Sequence, residues 1–118
     1  MPFNTIIICT NLFPKRFSGM AIFPFIILRN KEDIDDKIFI NHEKIHLRQQ
    51  LELLVLPFYL WYGIEFIIRL LITRNKQKAY LNLSFEKEAY QNEYNLHYLK
   101  SRKYYSFFTY LKKTDKHI

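Results

Sequence analysis

Residues 37–56 read KIFINHEKIHLRQQLELLVL, and inside them His42 and His46 stand four apart with Glu43 directly after the first. The stretch predicts a helix starting near Lys37, capped by Asp35 or Asp36 and ending or kinking before Pro57. On a helix, positions i and i+4 share one face one turn apart. His42 and His46 therefore present two imidazoles to a single tetrahedral ion such as zinc. Glu43 is turned by about 100° from His42, which makes it a poor co-ligand and a suitable general base for a water on that ion. A polar surface helix with two solvent-facing histidines has the same spacing, so the remainder of the chain has to decide between the two.

The flanking sequence predicts an α+β domain over residues 1–118, with a β-element in 1–30 and helices in 36–118. In the first part, NTIIICT and AIFPFIILR are rich in β-branched and aromatic residues and are separated by the turn-like FPKRFSG, which reads as a β-hairpin. Pro24 makes the second run an edge or bulged strand. After the long helix, a strongly apolar one is expected from about Pro57 to Thr73, followed by RNKQKAYLNLS as a polar connector. Ser84 reads as the N-cap of a helix reaching about Lys100, and KYYSFFTYLKK as a closing amphipathic segment. Three to four helices result.

Hydrophobic residues at 49% and aromatic ones at 18% exclude a disordered chain. The net charge of +7 is concentrated after Arg69 and favours anionic partners. Interleaved aromatics in KSRKYYSFFTYLKK suit an interfacial membrane helix at least as well as a nucleic-acid groove. Leu53–Ile72 has about the length that a bilayer crossing needs. Against a simple span stand Pro57, Gly63 and the i,i+4 pair Glu65 and Arg69, which favour a buried or interface-lying hairpin helix. Cys9 is the only cysteine, which excludes an internal disulfide and a CxxC site and leads us to expect a small buried hydrophobe in a strand. MPFNTIIICTNLF lacks a basic region and a small-residue cleavage site, so no signal peptide is expected. A cytoplasmic or cytoplasm-facing membrane-associated location follows.

Zinc hydrolases with two histidines on one helix need a third protein ligand and an open position for water. Position 53, eleven beyond His42, is Leu rather than a third histidine, and SFEKEAYQNE offers Glu86, Glu88 and Glu93. Together HEKIH and FEKEAY, with the Gln49–Gln50 pair, resemble the gluzincin metallopeptidases, in the branch with HExxH followed by ExxA on a second helix. The resemblance covers Asn41–Gln50 and Phe85–Glu93. It implies His42, His46 and Glu86 as zinc ligands, Glu88 as second choice for the third, and Glu43 as the base. Tyr90 departs from the pattern, standing where an aspartate is expected to orient a ligand histidine.

His97 lies eleven residues beyond Glu86 and, on a continuous helix, shares its face with Tyr90 and Glu93, from which it would stabilise an oxyanion. The resulting expectation is a zinc-dependent peptide hydrolase acting on a peptide or protein substrate, close to a membrane. The competing expectation is a metal-binding or membrane-associated structural protein without proteolysis.

Overall fold

Pro24 decides how the first strands are arranged. In the computed structural model, which describes residues 5–10, 18–112 and 114–115, the run AIFPFIILR is two strands rather than one. Strand β2 (Gly19–Ile22) and strand β3 (Phe25–Leu28) form an antiparallel hairpin, Ile22 facing Phe25 and Gly19 facing Leu28, with a cis Phe23–Pro24 bond in the turn. Proline has no N–H to give a ladder and disfavours a strand interior, so the chain reverses there. Strand β1 (Ile6–Cys9) pairs with β3 in parallel, giving the order β1-β3-β2. The expected hairpin between residues 4–10 and 21–29 is thereby corrected, and most of its turn lies outside the described residues. Cys9 is exposed, not buried, because β1 is an edge strand whose every residue is exposed.

The chain is α+β: this sheet is followed by helices α1 (Lys37–Leu53), α2 (Val55–Thr73), α3 (Lys76–Asn82), α4 (Ser84–Asn92) and the single turn α5 (Tyr98–Ser101). Short 3-10 turns cover Lys31–Asp35 and Ser106–Tyr110. Helix α1 starts where Asp36 Oδ1 accepts from the Phe39 amide at 3.1 Å. It stops at Leu54, whose φ of 68° breaks the helix three residues before Pro57. A continuous helix would drive the Pro57 ring into the carbonyl of Leu53, whereas in the first turn of α2 the missing N–H has no intrahelical partner to lose.

Three expectations along the helices change. The connector 74–84 contains α3, capped by Asn75, whose side chain accepts from the Lys78 amide at 3.0 Å. Ser84 is the first residue of α4 rather than its cap. The capping acceptor is Glu65 of α2, which takes the Ser84 amide at 2.8 Å and the Ser84 hydroxyl at 2.7 Å. A carboxylate at that helix start also complements the dipole. Finally, α4 ends at Asn92, because the side chain of Asn41 donates to the carbonyls of Glu93 at 2.8 Å and Asn95 at 3.0 Å and draws the chain away.

Helix α1 is the centre of the molecule. One side packs Ile40 and Leu47 against Ala21, Ile26 and Leu28 of the sheet. A second, aromatic cluster joins Phe58, Phe85 and Phe107 from α2, α4 and the last 3-10 turn. Gln50, 1% exposed, ties α1 to the hairpin turn: its amide donates to the Ala21 carbonyl at 2.7 Å and its carbonyl accepts from the Phe23 amide at 2.7 Å. Because unsatisfied buried groups cost about 1–3 kcal/mol each, Gln50→Ala is expected to lower stability in urea denaturation by about 2 kcal/mol.

Candidate metal centre

The buried positions of a helix are ordinarily apolar, yet α1 buries Asn41, His42, Glu43, His46, Gln49 and Gln50. Such groups require partners, and α4 supplies most of them. The two packed helices bring His42 Nε2 to 3.2 Å and His46 Nε2 to 3.1 Å from the same oxygen, Glu86 Oε1. The three ligand atoms lie within 4.8 Å of one another, and all three residues are buried. The imidazole rings stand at 78° with centroids 4.9 Å apart.

The outer nitrogens of both rings are also engaged. His42 Nδ1 meets Glu93 Oε1 at 3.2 Å and His46 Nδ1 meets Gln49 Oε1 at 2.8 Å. The Gln49 amide cannot be turned round, since its nitrogen donates to Glu88 Oε1 at 2.9 Å and to the Phe85 carbonyl at 3.2 Å, both acceptors. Each Nδ1 therefore carries a hydrogen, and each Nε2 faces Glu86, where it offers a lone pair once its own proton is gone. Three lone pairs then converge on one point, an arrangement that needs a proton or a cation between them. A nitrogen, nitrogen, carboxylate set of this kind suits zinc.

Electrostatics follow from this crowding. Burial disfavours a charged His46, but the adjacent Glu86 carboxylate and its hydrogen bond more than offset that, and His46 is pushed up to about 9. Burial likewise opposes ionisation of Glu86, yet His46 and His42 hold it well below the usual carboxylate range. Tyr62 donates its hydroxyl to Glu86 Oε2 at 2.7 Å, so both carboxylate oxygens are held. Burial and then the Glu86 charge keep the Tyr62 hydroxyl protonated far above its ordinary range.

Glu43 lines a cavity of about 390 Å³ together with His42, His46 and Glu86. Its carboxyl is raised from its ordinary value, chiefly by burial, against the opposing influence of both histidines. The other walls are Met20 and Ala21 of β2, Phe58, Tyr59 and Tyr62 of α2, and Tyr80 of α3. An apolar chamber thus opens on a polar floor.

Glu88 does not join the cluster. It is fully buried, bonding Gln49, Tyr98 and Arg102, while Arg102 also reaches Glu52 at 2.7 Å. His97 is exposed beyond the end of α4, so the helical face expected to join it to Tyr90 and Glu93 does not form. Glu93, two turns beyond Glu86 on nearly the same face, is the carboxylate that meets His42 Nδ1. Tyr90 instead packs its ring edgewise on His42, centroids 4.5 Å apart, and its hydroxyl lies 3.0 Å from that of Tyr80. Sequence reasoning missed the roles of Tyr62, Tyr80 and Arg102. Only the Glu86–Glu93 spacing carried a usable signal.

No family model, curated protein or solved structure matches this chain. The site is therefore read from its own residues.

Arg102 anchors the far end of the chain Arg102–Glu88–Gln49–His46, with its side chain and that of Glu88 fully shielded. Removing one member of a buried ion pair leaves an uncompensated charge and costs about 3–5 kcal/mol. Arg102→Met is expected to destabilise the protein by that amount in chemical denaturation, and Lys at the same position to recover only part of it.

Proposed function

We propose that this chain is a zinc-dependent hydrolase of peptide bonds, with His42, His46 and Glu86 as the protein ligands and Glu43 as general base. The observation that carries the reading is the convergence of two Nε2 atoms on one Glu86 oxygen beside a second buried carboxylate in the same cavity. A bound zinc ion supplies Lewis acidity and lowers the pKa of water. Glu43 takes a proton from the attacking water and delivers it to the leaving amine, a role suited to a carboxyl raised from its ordinary value by burial. Glu93 and Gln49 fix the ring orientation and tautomer of His42 and His46. Tyr80 lines the cavity, and burial followed by the Glu86 charge keeps its hydroxyl protonated. That makes it a better-placed hydrogen-bond donor to a developing oxyanion than the exposed His97.

A specific observation favours a second reading, metal binding without proteolysis. The Ala21 carbonyl of β2 is already taken by Gln50 and Tyr59, and the Phe23 amide by Gln50. That part of the strand is closed to pairing with an extended peptide.

Elemental analysis of protein loaded with zinc is expected to find one ion per chain, lost in His46→Ala and kept in Glu43→Gln. Turnover of a peptide library that Glu43→Gln lowers by about 10³-fold supports the hydrolase. Zinc at full stoichiometry with no turnover across the library selects the second reading, and a chain that stays folded but takes up no zinc removes both.

Zinc binds the unprotonated imidazole, whereas His46 without metal holds its proton up to about 9. Zinc uptake at neutral pH must then release a proton. Apparent affinity is expected to rise by up to about tenfold per pH unit from neutrality towards 9, flattening above it. Calorimetry in buffers of different ionisation enthalpy reads the proton count directly. An affinity independent of pH in that window contradicts the assignment.

A further inference from the structure

Helix α2 is amphipathic in the wrong sense for a helix facing water. Its only charged residues, Glu65 and Arg69, pair at 3.3 Å on the buried side, 6% and 8% exposed. The opposite side is a continuous stripe of Leu56, Leu60, Ile64, Ile67, Ile68 and Leu71, exposed by 51–82%. Only 17% of its apolar window is buried, so it is not a core helix. At about 1.5 Å per residue the stripe runs for over 20 Å. No polar side chain interrupts it, and Gly63 leaves open space beside it.

The stripe does not stop at the helix. Leu111 joins Leu60, Trp61, Ile64 and Ile68 around an apolar groove, and the exposed Phe108 packs edgewise on Trp61 with centroids 5.4 Å apart. Exposed cations follow it in the chain: Arg74 and Lys76 come directly after α2, and Lys112, which lines a neighbouring pocket with Lys87 and Asp115, comes directly after Leu111. Within a chain of net charge +7, the acidic run Glu32–Asp36 is spent on the turn before α1.

We propose that α2 docks this protein on an anionic lipid bilayer, lying along the surface with its apolar stripe in the boundary between headgroups and acyl chains. Apolar area supplies the insertion, the cations that follow it meet lipid phosphates, and Trp61 and Phe108 occupy the aromatic level of the interface. A span is disfavoured because the other side of α2 is committed to the rest of the fold through Phe58, Tyr62, Glu65 and Arg69. A second copy of the chain is the poorer occupant, since pairing two such faces brings like charges together. The proposal stands independently of the metal.

The sole tryptophan, Trp61, reports on the docking directly. The full chain is mixed with vesicles of phosphatidylcholine alone or with an equal part of phosphatidylglycerol. Flotation and Trp61 fluorescence are then recorded. Expected are flotation with the anionic vesicles, at least tenfold weaker binding to the neutral ones and at high salt, and stronger quenching by lipids brominated near the headgroup end than near the chain terminus. The double variant Leu60→Glu/Ile64→Glu alters only exposed positions and is expected to lose flotation while keeping the circular dichroism and zinc uptake of the parent. Should that variant misfold, the quenching profile of the unaltered chain decides. Flotation unchanged by the double variant, quenching strongest at the bilayer centre, or a lipid-indifferent dimer that Ile64→Glu splits would each overturn the proposal.

Discussion

Glu86 Oε1 is the point on which the fold closes. It receives the Nε2 atoms of His42 and His46 from α1, while Tyr62 of α2 holds its companion oxygen. One carboxylate thereby joins α1, α2 and α4. A buried charge costs several kcal/mol unless fully partnered, so the surroundings of Glu86 are constrained wherever they touch it. Gln49 and Glu93 must take the outer imidazole nitrogens, Glu88 must receive Gln49, and Arg102 must neutralise Glu88. The polar network thus runs from the site through the interior to residues near the end of the described chain.

The same constraint explains why α1 is so unlike an ordinary core helix. Its sheet-facing side packs through Phe39, Ile40 and Leu47, but its other buried positions are mostly amide, imidazole and carboxyl groups. Most of those have a backbone or carboxylate partner on another element, and His46 Nδ1 meets Gln49 within α1. Gln50 grips the hairpin turn, Asn41 gathers the carbonyls that follow α4, and His42 and His46 meet Glu86. Polar residues here specify which element packs where, which apolar contacts alone do less sharply.

Local signals were legible in the sequence where local physics governs. The start of α1 follows from the Asp36 cap, its end from Pro57, and the shared face of His42 and His46 from their spacing. Glu86 is one of three carboxylates that SFEKEAYQNE offers, and only the resemblance carried by HEKIH and FEKEAY singles it out. What stayed hidden depends on contacts distant in sequence. Ser84 has the look of a cap, but Glu65 from another helix takes over its function. Asn41, over fifty residues away, ends α4 and so carries His97 off the expected face. Pro24 signals an interruption without saying that β1 then pairs in parallel with β3. Nor does the sequence say that Glu93 is the carboxylate that meets His42 Nδ1.

X-ray absorption at the zinc edge of the loaded protein tests the central claim most directly. The account predicts a first shell of nitrogen and oxygen near ~2.0 Å, with the outer-shell scattering of two imidazoles. In Glu86→Ala one oxygen contribution should be lost or replaced by water, with the imidazole signal retained. A sulfur ligand from Cys9, or a shell lacking histidine scattering, would contradict it.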